Sequence, residues 1–500
     1  MRGLIYLIIA MVLALTGCKS RNKLNTNEKE LSAEVAKKEA EIAAQKAKEE
    51  AAIKRIPISN QLKQKENRTM ETSEPPVVLD IMEARKRVKP FSYSMLANKI
   101  EYVLLRHPSD SAYFKRGVGI TVTPNNIITQ VMYREVARFN RDGSFVETIC
   151  DNRTEGLTNS NSMRISRESF KKYKGTLGDV VTLGDKLFFS YGGFYDKRPE
   201  LICYDASPGN KTLDLNENVE NKKKRVKGDV ICQIDKSHRR KLFMLDEKHF
   251  LAETSKMKSS ETGHFMVMYS TNGDTVCALK DHDPIVNFTG SVMRNPDGGS
   301  KYRSNGRVYF RQSYNDTIFE VKSSNRFVPR YVVDYGEKGF NGANDGINPS
   351  VGLKDKFVPR TFIETNRFIF ITYTQDYCCP ATARSGSLKY NKFVYNKETG
   401  ESFHVYIDAE PYVAKKTKDM PMAPWPSEPR NTIQNDLDAG LAFWPRKLAD
   451  DGTIYFGISI KQLKEHVKSK QFDKAGANAE LLMKIVEKGT ERDYVVMLLK

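Results

Sequence analysis

Phe139-Asn-Arg-Asp-Gly-Ser-Phe-Val-Glu-Thr-Ile149 reads as a β-hairpin. An aromatic strand end runs into Asn, Asp and Gly, and the return strand alternates apolar and polar residues, the pattern of a half-buried strand behind a tight turn. The arrangement recurs at Tyr204-Asp-Ala-Ser-Pro-Gly-Asn-Lys-Thr-Leu-Asp-Leu215 and at Tyr269-Ser-Thr-Asn-Gly-Asp-Thr-Val-Cys277. It returns at Tyr314-Asn-Asp-Thr-Ile-Phe-Glu-Val321 and at Tyr395-Asn-Lys-Glu-Thr-Gly-Glu-Ser-Phe-His-Val405. The aromatic starts lie 65, 65, 45 and 81 residues apart. Recurrence over such distances marks a repeat fold, and the interval leaves room for four strands with long connections, which is one propeller blade. The sequence therefore predicts an all-β chain, a β-propeller over residues 77–500. Six blades fit the spacing best, and seven stay open because the interval is uneven. A helix is expected over Ile460–Lys470. A final strand, Asp493–Leu499, is expected to close the ring with an early one.

Further motifs resemble a known family. Tyr314-Asn-Asp-Thr-Ile-Phe319, Val328-Pro-Arg-Tyr-Val-Val-Asp-Tyr-Gly336, Asn435-Asp-Leu-Asp-Ala-Gly-Leu-Ala-Phe-Trp-Pro445 and the strand Lys99-Ile-Glu-Tyr-Val-Leu-Leu105 are similar to the blade signatures of the Bacteroidetes-type six-bladed β-propeller lipoproteins of unknown function. The resemblance spans most of residues 77–500. It implies a lipid-anchored propeller of the cell envelope, and it transfers no catalytic residue.

Upstream of the repeats the composition changes. Met1 and Arg2 precede an apolar run, Leu4–Leu15, broken only by Tyr6, and then Leu15-Thr16-Gly17-Cys18. A charged start, a short apolar core and a small-residue cleavage site make a secretory signal, too short for a spanning helix. Cys18 directly after the small residue gives the form of a lipobox, so residues 1–17 are expected to be a lipoprotein signal and Cys18 the lipid attachment site. Residues 18–76 read as a tether. From Glu28 to about Ile56 it is rich in Ala, Glu and Lys without Pro or Gly, which favours helix. Pro57 and Pro75-Pro76 break it before the propeller. Lys19-Ser-Arg-Asn-Lys23 departs from the acidic residues that follow the lipidated Cys in surface-exported relatives of that lineage. The expected location is thus the outer membrane, facing the periplasm.

The formal net charge of +18 favours anionic partners such as lipid headgroups or acidic glycans, and export argues against nucleic acid. Seven cysteines stand at 18, 150, 203, 232, 277, 378 and 379. None makes a Cys-x-x-Cys pair, and buried thiols are the expectation for most of them. The seven histidines are scattered. There is no Gly-x-Ser-x-Gly, no His-Glu-x-x-His and no phosphate-binding Gly loop. Asp436-Leu-Asp-Ala-Gly440 has Lys447 where a calcium loop needs its twelfth-position Glu, so a hydrogen-bonded turn is expected. No cofactor and no metal are implied.

Candidate ligand contacts follow from chemistry alone. Trp425 lies in the Pro-rich Pro421–Pro429, a stiff segment that would present an indole to a sugar ring. Trp444 is the second indole, and its Phe-Trp-Pro setting points to blade core. Asn344, Asp345, Tyr373 and Asp376 sit in polar stretches near strand ends, where propellers gather ligands. Lys222, Lys223, Lys224 and Arg225, with Arg239 and Arg240, form a basic patch suited to carboxylate or phosphate. The leading expectation is a non-enzymatic binding module for a glycan or an envelope protein. A polysaccharide hydrolase or lyase is the first rival, since propellers assemble catalytic groups from separate blades. A structural partner of an envelope transport complex is the second.

Overall fold

A computed structural model of the chain describes residues 66–67, 74–108, 118–131, 135–151, 176–178, 180–192, 199–209, 226–234, 242–253, 263–280, 299–312, 315–339, 355–376, 389–405, 433–490 and 493–500. All fall within one compact unit, Arg55–Lys500. The expected signal, Cys18 and the helical stretch of the tether lie outside the described residues.

The described chain begins with β1 (Glu66–Asn67), β2 (Val77–Asp80), β3 (Val88–Lys89) and β4 (Ile100–Leu105). Blade 1 is β5 (Val118–Val122), β6 (Asn126–Val131), β7 (Glu135–Asn140) and β8 (Phe145–Asp151). Blade 2 holds β9 (Thr176–Leu177), β10 (Val181–Leu183), β11 (Lys186–Gly192), β12 (Glu200–Asp205) and β13 (Asp229–Gln233). Blade 3 is β14 (Leu242–Met244), β15 (His249–Glu253), β16 (His264–Ser270) and β17 (Thr275–Lys280). Blade 4 is β18 (Ser300–Ser304), β19 (Arg307–Arg311), β20 (Thr317–Ser323) and β21 (Arg326–Asp334). Blade 5 is β22 (Phe357–Glu364), β23 (Phe368–Gln375), β24 (Lys389–Asn396) and β25 (Ser402–Val405). Blade 6 contains β26 (Ile454–Ser459) and β27 (Tyr494–Leu499), with β4 on its outer side. Within each blade, consecutive strands pair antiparallel, except that β9 pairs with β11, and inner strands of neighbouring blades approach one another around the centre. Six sheets, not seven, make the ring among the described residues.

The recurring hairpin is the outer hairpin of a blade in most cases. Phe139 and Phe145 are partners across β7 and β8. The turn closes through Asn140 N–H to Ser144 O (2.9 Å) and Gly143 N–H to Asn140 O (3.0 Å). Gly143 has φ +90°, and a Cβ there would meet Leu104 O at 2.3 Å, so this turn both needs left-handed backbone and presses on blade 6. Tyr269 and Tyr395 open the same hairpin in blades 3 and 5. The stretch from Tyr314, itself outside the described residues, joins β19 to β20, which pair antiparallel as a second-to-third strand hairpin. One reading is corrected. In blade 2 the partner of β12 is β13, Cys203 facing Asp229, rather than the expected return near Leu215.

Alternation along the strands gives each blade two apolar faces, and each of the six gaps between blades holds one buried cluster. Ile128 and Val136 meet Phe189 and Tyr204 between blades 1 and 2, and Phe188 and Leu201 meet Phe250 and Val267 between 2 and 3. Phe265 and Met268 meet Phe310 and Phe319 between 3 and 4. Tyr302 and Tyr331 meet Phe362 and Tyr373 between 4 and 5, Phe370 meets Trp444 between 5 and 6, and Val496 meets Ile120 and Phe139 between 6 and 1. The ring is therefore closed by packing as well as by hydrogen bonds. Cys203, Cys232 and Cys277 are free thiols. Burial pushes the thiols of Cys232 and Cys277 up to about 12.

The N-terminal strands form a belt around half the ring. β1 pairs parallel with β17 of blade 3, β2 with β21 of blade 4 and β3 with β25 of blade 5. β4 then pairs antiparallel with β27, Ile100 opposite Leu499, the ring closure expected for the last strand. Between β2 and β3, α1 (Ile81–Ala84) is capped by Asp80, whose Oδ1 accepts from Glu83 N–H at 2.8 Å. Ile81 and Ala84 are buried in the gap between blades 4 and 5. Inserted in blade 6 are α2 (Ile460–Val467), opened by a Ser459/Gln462 capping box, and α3 (Ala479–Lys488). Leu463, Leu482 and Ile485 bury the inner faces of these two helices.

Candidate functional site

The chain enters blade 6 through Phe443-Trp-Pro-Arg-Lys447. Leu448 bridges Ile454, and Tyr455 N–H donates to Lys447 O (3.3 Å). This segment thus occupies the innermost position of the blade, next to β5 of blade 1. Phe443 stacks on Phe456, ring centroids 5.3 Å apart. Trp444 meets Phe370 edge-on at 5.3 Å and is 2% exposed. The belt holds the segment in place: Tyr93 Oη donates to Phe443 O at 3.0 Å.

Between this segment, β5 and β26 lies a cavity of about 310 Å³. Val118, Ile120, Phe443 and Phe456 supply apolar wall; Trp444, Arg446, Lys447, Tyr455, Gln462 and Tyr494 supply polar groups; Gly457 completes the lining. The cavity lies toward the end of the ring where β5 and β27 begin and β26 ends. That is the end from which chain passes from one blade to the next. Gly457 is needed for space, because a Cβ there would come within 2.5 Å of Tyr494 Cε1 and 2.7 Å of Ile120 Cδ1. Lys447 Nζ donates to Ile120 O (2.8 Å), stitching blade 6 to blade 1 along the wall. Gln462 Oε1 accepts from Ser459 N–H and Oγ–H, which leaves its amide NH₂ as the donor end.

The electrostatics of this corner are positive. No carboxylate stands among the described lining residues. Behind the wall, the Lys392 ammonium lies 4.9 Å from the Trp444 ring centroid and donates to Thr372 Oγ at 3.1 Å. Burial holds Lys392 well below its ordinary range, and Arg446 adds repulsion. Arg446 is likewise lowered by burial, offset by Tyr390 and reinforced by Arg360. Trp444 Nε1–H is buried without a hydrogen-bond partner. A buried donor left unsatisfied is costly.

Toward the other end of the innermost strands, four blades meet at a polar junction. Arg303 of blade 4 donates to Met244 O (2.8 Å) and Leu245 O (3.2 Å) of blade 3 and lies 3.7 Å from Asp450 of blade 6. Asp450 in turn accepts from Gly184 N–H of blade 2 at 3.0 Å.

The residues expected from the sequence distribute differently. Trp444 is in blade core, as its motif implied, and also lines the cavity. Tyr373 is fully buried on β23, its hydroxyl 3.0 Å from Arg85 Nη1 and 3.2 Å from His404 Nε2. Asp376 lies just past β23 and accepts from Asp355 N–H (2.6 Å). Neither reaches the cavity, because the inward side of β23 packs into the gap between blades 4 and 5. The Asp436–Gly440 segment is the hydrogen-bonded turn expected. Asp438 accepts from Tyr102, Asn435, Gly440 N–H and Asn478, and Asp436 from Ser94 N–H. Trp425, Asn344, Asp345, Lys222, Lys223, Lys224, Arg225, Arg239 and Arg240 lie outside the described residues. Arg446, Lys447, Tyr455, Gln462 and Tyr494 were not anticipated. Their local signal is the cationic pair that directly follows Phe443-Trp-Pro445, in a stretch otherwise read as structural.

Comparison with known proteins agrees with this architecture. An exported protein from Bacteroides fragilis NCTC 9343 is similar at 12% identity with a TM-score of 0.52, over 85% of this chain and 99% of that one. A member of the duf4221 family from Bacteroides vulgatus is similar at 9% identity with a TM-score of 0.33, over 61% and 86%. BamB from Moraxella catarrhalis is similar at 10% identity with a TM-score of 0.32, over 62% and 68%. No curated protein sequence matches. The family described as a domain of unknown function (DUF4933) matches residues 60–469. The chain belongs to that family, and it is a six-bladed β-propeller of the Bacteroidetes type.

Proposed function

We propose that this chain is a lipid-anchored propeller of the cell envelope that binds a ligand in the Trp444 cavity and performs no chemistry on it. The observation that carries the reading is the cavity itself: a concave site at a blade junction, walled by stacked aromatics and edged by side-chain donors, the usual make-up of a small-molecule site. Aromatic faces beside fixed donors suit a sugar ring. A glycan is therefore the first ligand proposed, and an envelope protein the second. Cys18 supplies the anchor, with the outer membrane and its periplasmic face as the proposed address. The export of the Bacteroides fragilis neighbour supports passage out of the cytoplasm.

Two experiments test this. Replacing Cys18 with Ala should move the protein from the membrane fraction to the soluble fraction. Unchanged membrane retention would remove the lipid anchor from the reading. The full chain carrying that substitution should then bind members of an array of neutral and acidic glycans, and filling the cavity with Gly457→Val should abolish binding. Binding retained in that variant would move the site elsewhere; a variant with Trp425→Ala reports on the Pro-rich segment. An array without hits would shift the proposal to a protein partner, sought by cross-linking in intact cells.

A further inference from the structure

We propose that Arg55-Ile-Pro-Ile58 docks along β13 as a fourth parallel strand of the belt and closes the outer edge of blade 2. This surface is separate from the Trp444 cavity, and its occupant is a segment of the same chain.

The belt advances at a fixed step. β1, β2 and β3 begin at Glu66, Val77 and Val88, 11 residues apart each time. Each step carries the chain to the last strand of the next blade, β17, then β21, then β25, and all three pairs are parallel. One step before Glu66 falls on Arg55, and one blade before blade 3 is blade 2, whose last strand is β13. Arg55 is also where the compact unit that holds the propeller begins. The register transfers as well. In blades 3 and 5 the first belt residue pairs with the last-strand residue whose own partner stands two places before the hairpin tyrosine. Glu66 pairs with Ala278, the partner of Val267, and Val88 pairs with His404, the partner of Phe393. In blade 2 the hairpin tyrosine is Tyr204, two places before it stands Ile202, and Ile202 pairs with Val230. Arg55 therefore falls opposite Val230.

The receiving edge is open. In blade 1, Val226 bridges Cys150 of β8 and Lys227 N–H donates to Ile149 O (2.9 Å). Blades 3 to 6 end under the belt. Among the described residues, β13 alone of the six last strands has nothing laid on its outer side. Val230 is 45% exposed, the only large apolar side chain exposed on a blade strand among the described residues. An unpaired edge takes up extended chain through its backbone groups, and the belt already does this on three successive blades. The segment suits an outermost strand. Arg55-Ile-Pro57 carries its proline at the position that Pro90 holds in Val88-Lys-Pro90, the run that contains β3. Proline is tolerated on an edge where its missing N–H faces solvent. Ile56 and Ile58, on either side of Pro57, aim their N–H groups to the other side, toward β13.

Hydrogen–deuterium exchange, read to single residues on the full chain carrying Cys18→Ala, tests this. The Ile56 and Ile58 amides should exchange at least tenfold more slowly than in a synthetic peptide of residues 50–62. Ile56→Pro removes one N–H aimed at β13. It should release Ile58, speed exchange across Val230–Cys232 several-fold and leave β17, under β1, unchanged. Thermal unfolding of the variant checks that the ring is folded. Exchange of Ile56 and Ile58 at the rate of the free peptide would overturn the proposal and leave β13 as an edge for a strand of another protein. Slow exchange at both, with Val230–Cys232 unmoved by Ile56→Pro, would overturn it by seating the segment elsewhere. Equal acceleration of β17 and β13 would overturn it in favour of a general loosening of the belt.

Discussion

Glu364 shows how much a single side chain can hold in this ring. Its buried carboxylate accepts from Tyr302 Oη (3.0 Å) and Tyr331 Oη (2.9 Å) of blade 4 and from Lys397 Nζ (2.8 Å) of its own blade. Glu364→Ala removes the acceptor of two buried phenols and the counter-charge of Lys397, which keeps Thr365 O, so urea unfolding should show a loss of roughly 3–5 kcal/mol; Glu364→Gln, which keeps an acceptor, should lose less. His404 sets a pH dependence. Burial, with Arg85 adding repulsion, pushes its imidazole down to about 4, below the unfolded value of about 6.5. The fold therefore favours the neutral ring. This contribution is intact above about pH 6.5 and is lost as the pH falls from there toward 4. By pH 4.5 it should have cost roughly 2 kcal/mol, and His404→Gln should flatten that part of the stability–pH curve. Gly457→Ala should cost about 1–3 kcal/mol in chemical denaturation, because its new methyl group collides with Tyr494 and Ile120.

At the scale of elements, the belt does what edge strands require. An outer strand presents unpaired N–H and C=O groups to any passing strand, and β1, β2 and β3 cover those of β17, β21 and β25. Leu79, fully buried on β2, fastens the belt between blades 4 and 5. Leu79→Ala should lower stability by roughly 2–5 kcal/mol and open residues 74–90 to limited proteolysis, seen as new cleavage products in that interval. The hairpins were legible in the sequence because Asn-Arg-Asp-Gly and Thr-Asn-Gly-Asp turns announce themselves locally. The belt was not. β1 and β3 are two residues each, pair in parallel with strands far along the chain, and carry no alternation of their own. The cavity shares that difficulty. Phe443-Trp-Pro445 was legible as blade core, but Tyr455, Gln462 and Tyr494 come from three separate elements and meet Arg446 and Lys447 only once blades 6 and 1 are side by side.

For the whole molecule, closure is the governing event. β27 is central to blade 6, flanked by β26 from the C-terminal part of the chain and β4 from the N-terminal part. Val495, Val496, Met497, Leu498 and Leu499 are all buried. Truncation before Asp493 should leave blade 6 open and abolish the single cooperative unfolding transition, monitored by circular dichroism against urea. Ring architecture was legible from recurrence, because a repeat must bury its faces against neighbours wherever the connecting segments run. The number of blades became certain only from the six packed gaps.

The belt also sets a schedule. Residues 66–105 are made before the blades they bind, yet Ile100 waits for Leu499, made nearly 400 residues later. Contacts of such long sequence separation form slowly, and until they form the nascent strands stay open to aggregation and proteases. The ring can therefore finish folding only once β27 has been made, and a chain ended before it is left with blade 6 unfinished.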